Sequence, residues 1–234
     1  MAVSGITAFL NELDVYGLIS FLLNGVAILF CLTFHELSHG LTAYYLGDPT
    51  AKDAGRLTLN PIKHIDIFGL MMMISVRVGW AKAVPVDMRN FKRPKRDMAV
   101  TALAGPGANF LLALVALGLL SILYRGLLLF RVGSIPVAVF YCIEFLAYLA
   151  ILSIGLGIFN LIPIPPLDGS KVLFSVLPQI AYYTILRYER YIMIVVLLLA
   201  FSGALSRPLS RVIGWVLQGM CTVTCCPVWL LLGF

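Results

Sequence analysis

Val26-Ala-Ile-Leu-Phe-Cys-Leu-Thr-Phe-His35-Glu36-Leu-Ser-His39-Gly-Leu-Thr-Ala-Tyr-Tyr-Leu46 is an apolar run with three titratable side chains at its centre. A bilayer core of about 30 Å needs about 20 helical residues, and this run with the residues before it is long enough to cross. A charged group inside a membrane costs about 2.5–3.5 kcal/mol on insertion scales. Three titratable groups within five residues therefore need a compensating ligand. On a helix, positions i and i+4 share a face, so both imidazoles reach one metal ion. The glutamate sits beside that ion rather than on it, placed to take a proton from a metal-bound water.

The surrounding chain reads the same way. Of its 234 residues 61% are hydrophobic and only 12% charged, against about 45–50% and about 25% in soluble domains. The expected fold class is all-α, a polytopic membrane protein of about five to six transmembrane helices, with residues 1–234 forming a single domain. The spans are placed at about 17–46, 98–123, 135–159, 181–203 and 208–234. Between the first two lies a polar connector, 47–97, in which Ile74, Val76, Val78, Val84 and Val86 suggest a small membrane-associated β element. Pro85 would confine one of its strands to an edge or a bulge.

Ten of the 17 Lys and Arg residues fall between Lys52 and Arg96. Flanking membrane spans, this charge sets orientation rather than binding nucleic acid, and no nucleic-acid partner is expected. The N-terminus is placed outside and 47–97 in the cytosol. Residues 1–15 carry Glu12 and Asp14 without a basic residue, unlike a secretory signal, so the first apolar run is expected to remain in the mature protein. Cys31, Cys142, Cys221, Cys225 and Cys226 show no paired zinc-site spacing and read as small buried hydrophobes, with metal binding by the last three as the lesser alternative.

Two histidines do not complete a catalytic zinc site, which needs three protein ligands and one open position. Asp168 is the leading candidate. It ends Asn160-Leu-Ile-Pro163-Ile-Pro165-Pro166-Leu-Asp168-Gly169, where proline forbids a helix interior. Irregular backbone at membrane depth is tolerated only inside protein or along a wet cavity. The competing reading makes Asp168 the N-cap of a short helix beginning near Lys171.

His-Glu-x-x-His followed far downstream by Asn-x-x-Pro-x-x-x-Leu-Asp-Gly resembles the site-2 protease family of intramembrane zinc metalloproteases. Gly55-Arg-Leu-Thr-Leu-Asn60-Pro61, Gly79-Trp80-Ala81-Lys82, Val84-Pro85-Val86 and Ala104-Gly105-Pro106-Gly107-Ala108-Asn109 are similar to its compact bacterial branch, which lacks PDZ and nucleotide-sensing domains. Ala83 stands where that branch leads one to expect proline. The resemblance implies Zn2+ on His35, His39 and Asp168, and Glu36 as the general base that later protonates the leaving amine. It implies Asn160 as a hydrogen-bond donor to the substrate backbone or oxyanion. It implies a transmembrane protein or signal-peptide substrate, pairing in extended form with an edge in 68–87, and a multi-pass location in a bacterial cytoplasmic membrane.

The main alternative is a zinc-handling membrane transporter, which should string polar ligands along several spans and often show an inverted repeat. One cluster and no repeat are visible. Glu144, within the third span, is expected to pair with an arginine of the 124–135 loop. His64 reads as a surface loop residue, and Asn109, after two glycines, as part of close helix packing.

Overall fold

The computed structural model describes residues 15–67, 69, 71, 82–130 and 134–231. It is mostly helical. Helix α1 spans Val15–Tyr45, α2 Thr50–Asp53, α3 Pro94–Leu129, α4 Val137–Asn160, α5 Asp168–Val176, α6 Gln179–Phe201 and α7 Ser206–Thr224. Among the described residues, α1, α3 and α4 are long and apolar enough to cross a membrane.

These three helices pack on one another, and α7 leans on α3 and α4. Their seam is lined by small residues: Ala27, Ala116, Ala147 and Ala150 are fully or almost fully buried, with Leu117 and Leu120 filling between them. In lipid no hydrophobic force draws apolar helices together, so association depends on close backbone approach, which alanine permits. Two hydroxyls within α1 are satisfied locally. Thr33 and Ser38 donate to the carbonyls of Leu29 and Phe34 one turn back.

Gly47, at φ +108°, and Pro49 end α1. The connector then folds back under it. Asp48, with no exposed surface, is the pin. It accepts from the Asp87 N–H at 2.7 Å, from the Asn90 amide at 2.7 Å, and from the backbone N–H and hydroxyl of Thr50. Burial works against its charge, but these bonds, from Thr50 and Asn90 first, hold its carboxyl below the usual range. Arg56 donates to the carbonyls of Lys82 and Ala83, and the Lys82 N–H donates to the His64 carbonyl. Residues 82–90 are thereby clamped against the C-terminal end of α1.

Most of the expected β element, including Ile74, Val76 and Val78, lies outside the described residues. Among the described residues there is no strand, only an isolated bridge at Ile65. Val84 and Val86 run through irregular backbone: the Lys82 and Ala83 carbonyls accept from Arg56, the Val84 N–H donates to Glu36, the Asp87 N–H donates to Asp48, and Pro85 has no N–H. His64 is not a surface residue: it is 2% exposed, with Nε2 bonded to the Thr58 carbonyl at 2.9 Å. Glu144 is buried and accepts from the Tyr148 hydroxyl one turn along α4; among the described residues no arginine pairs with it. Arg131 lies outside them.

Removing the Asp48 pin leaves buried donors unsatisfied, at about 1–3 kcal/mol each. Asp48→Ala should speed hydrogen exchange at the Asp87 amide by about tenfold or more at pH 7. A carboxyl depressed by folding stabilises above its unfolded pKa and stops doing so as pH falls through its folded one. The difference between wild type and variant should therefore shrink under strong acid.

Candidate metal centre

His35 and His39 stand one turn apart on the inward face of α1, 4% and 8% exposed, their rings nearly perpendicular with centroids 4.6 Å apart. Asp168, 6% exposed, meets them from the far side. Its Oδ2 is 3.1 Å from His35 Nε2 and 3.0 Å from His39 Nε2, and the two Nε2 atoms are 3.1 Å apart. Zinc takes nitrogen and oxygen ligands at about 2.0–2.2 Å, which sets tetrahedral neighbours about 3.3 Å from one another. The three donor atoms form a triangle of nearly that size, and they are the one group among the described residues able to hold a metal ion. The donor set, two imidazoles and a carboxylate, fits a catalytic zinc site with a fourth position open.

The helix starting at Asp168 is capped at Leu167, without a side-chain cap bond. Asp168 is therefore its first residue and not its N-cap, which leaves Oδ2 for the centre. The chain reaches this position through a series of tight turns: the Ile164 N–H bonds to the Ile162 carbonyl and the Leu167 N–H to the Ile164 carbonyl. Gly169 makes the fold-back possible. A Cβ there would stand 2.2 Å from the Leu161 carbonyl oxygen.

Each donor also has a partner behind it. His39 Nδ1 is 2.7 Å from the Thr101 carbonyl, His35 Nδ1 is 3.2 Å from the Asn109 side-chain nitrogen, and Lys171 Nζ is 2.9 Å from Asp168 Oδ1. Such supporting bonds fix ring orientation and ligand basicity.

Glu36 is half-buried and lines the same cavity, of about 440 Å³, as His35, His39 and Asp168. Its Oε2 accepts from the Val84 N–H at 2.8 Å. Asn160, the last residue of α4, also lines this cavity, but it uses one amide hydrogen on the Leu156 carbonyl at 3.0 Å. The structure thus brings all five sequence candidates to one cavity. Missing from that set were Thr101, Gly105 and Asn109 of α3. Their four-residue spacing puts them on one helix face, a signal that the reading of Asn109 as packing passed over.

The model of peptidase family M50 matches residues 24–203. The chain is 35% identical over 191 residues to YwhC of Bacillus subtilis, named as a candidate zinc metalloprotease, covering 81% of this chain and 83% of that protein. It is 29% identical over 192 residues to Rip2 of Mycolicibacterium smegmatis, which bears the same description, covering 80% and 70%. Rip2 of Mycobacterium tuberculosis, strain H37Rv, is 25% identical over 224 residues, covering 92% and 82%. No solved structure matches.

Gly105 gives the sharpest test of this geometry. A Cβ there would lie 2.3 Å from His39 Nε2 and 2.7 Å from His35 Cε1, whereas one at Gly107 meets nothing within 4 Å. Gly105→Ala should lose most bound zinc by elemental analysis of the purified protein. Gly107→Ala should keep it.

Proposed function

The chain belongs to peptidase family M50, and from that premise we propose how its buried centre performs peptide hydrolysis within the membrane. It is an intramembrane zinc metalloprotease. His35, His39 and Asp168 hold the zinc, and the observation that carries this assignment is the convergence of their three donor atoms at the wall of a cavity that Glu36 shares. When bound, zinc supplies a Lewis acid that polarises the scissile carbonyl and acidifies water.

The residues of the chain do the rest. Glu36, anchored through Oε2 by the Val84 N–H, takes a proton from the attacking water with its other oxygen and delivers it to the departing nitrogen. Asn160 keeps a second amide hydrogen for the substrate backbone or the developing oxyanion. Lys171 and Thr101, through their bonds to Asp168 and His39, keep the donors aligned.

The substrate is a transmembrane segment or a leftover signal peptide. A helix hides its carbonyls in internal hydrogen bonds and must unwind before attack. The clamped segment 82–87 borders the cavity through Ala83, Val84 and Val86 and offers backbone to an unwound chain by strand addition. We place the protein in a bacterial cytoplasmic membrane as one domain, with α6 and α7 as further spans, and with residues 47–97 facing the cytosol. The zinc-transport alternative is not favoured: among the described residues a single cluster can hold metal, where a conduction path needs several.

Purified protein should cleave a single-span reporter. Glu36→Gln should keep its zinc and lose about 10²–10⁴-fold in rate, the usual contribution of a general acid–base group. A variant that cuts at the wild-type rate would remove Glu36 from the mechanism.

A further inference from the structure

The Thr101 carbonyl holds His39 Nδ1, but among the described residues no group holds the Thr101 hydroxyl. Hydroxyls inside helices can bond to the carbonyl one turn back. Thr33 and Ser38 of α1 and Thr222 and Thr224 of α7 all do so. Thr101 does not, although it is 2% exposed and its Oγ1 is buried. A buried polar atom without a partner is uncommon and calls for a use.

The Thr101 side chain stands on the wall of the cavity that holds Glu36 and the three metal donors. Its direction follows from the helix. A Cβ on Gly105 would run into His39 Nε2, and Thr101 lies one turn earlier on the same face. The side chain is therefore beside the centre, on the side where α3 begins. Threonine has two populated χ1 wells in a helix, so the hydroxyl can turn to the cavity with no change of backbone.

An unwound peptide in this cavity needs hydrogen bonds. Much of the wall is apolar, Leu32, Met98, Ala102 and Phe159 among it, and a peptide N–H or C=O buried there without a partner is costly. The other polar side chains of the wall are already engaged. One oxygen of Glu36 accepts from the Val84 N–H, Asn160 donates to the Leu156 carbonyl, and Lys171 Nζ donates to Asp168 Oδ1. We propose that Thr101 is a substrate-binding residue, its hydroxyl bonding a backbone peptide group of the unwound substrate next to the scissile bond. A hydroxyl both donates and accepts, so it serves a carbonyl or an N–H. The flanking peptide group keeps its charge through the reaction, so the bond strengthens binding and leaves the chemical step alone. The inference rests on the proposed peptide hydrolysis.

Thr101→Val keeps the shape of the side chain and the carbonyl that serves His39, and removes only the hydroxyl. On folding grounds alone this change is neutral or stabilising, because the lost group has no partner within the protein. The test is cleavage of the single-span reporter at several reporter concentrations, with zinc content and melting temperature measured on the same full-chain samples. Thr101→Val should keep its zinc and its melting temperature and raise KM about 3–10-fold, the usual net effect of one neutral hydrogen bond, with kcat nearly unchanged. Thr101→Ser restores the hydroxyl and should bring KM back near the wild-type value. A wild-type KM in Thr101→Val overturns the proposal, and so does a fall in kcat at unchanged KM. A loss that comes with lost zinc or a lower melting temperature, or an equal loss in Thr101→Ser, marks packing and overturns it too. A wild type that cleaves nothing removes the hydrolytic reading itself and this inference with it.

Discussion

Two imidazoles and a carboxylate meet with their donor atoms 3.0–3.1 Å apart, inside a bundle with a large apolar core. Each group alone would be expensive at membrane depth. Together, and with a partner behind every one of them, they form a site that compensates its own burial and invites a cation. The architecture around them is what such a site requires. A helix must carry two of the groups one turn apart, a second helix must come close enough to brace them, and an interrupted backbone must bring the third from elsewhere.

Glycine and proline make those approaches possible. Gly105 removes the side chain that would collide with both rings, and Gly169 lets the chain after α4 fold tightly on the carbonyl of Leu161. The prolines between Asn160 and Asp168 prevent α4 from simply continuing past the centre. Outside the bundle, Asp48 and Arg56 hold residues 82–90 in place, and that segment carries the Val84 N–H that fixes Glu36. Glu36 is thus set by the connector, while His35, His39 and Asp168 are set by the helices.

Much of this was legible because the signals are local. The spacing of His35 and His39 follows from helical periodicity, and the proline-rich break announces that Asp168 lies in irregular backbone. Non-local features were harder to read. Asn109 follows two glycines, so close packing explained it well enough, and only its distance to His35 reveals a second role. His64 sits among polar residues yet is buried under the fold of the connector. Glu144 finds its partner in Tyr148 on its own helix, because a bond one turn away needs no long-range coincidence. The valines at 84 and 86 carry strand propensity, but the described backbone there is irregular, held by side-chain hydrogen bonds with Arg56, Glu36 and Asp48.

What surrounds the metal decides the assignment of this centre. X-ray absorption at the zinc edge of the purified protein would read that shell directly. A centre built by His35, His39 and Asp168 should show about four nitrogen and oxygen neighbours at about 2.0–2.2 Å, with imidazole scattering beyond them and one oxygen fewer or exchanged in Asp168→Ala. A sulfur neighbour at about 2.3 Å, or a shell indifferent to Asp168, would contradict it.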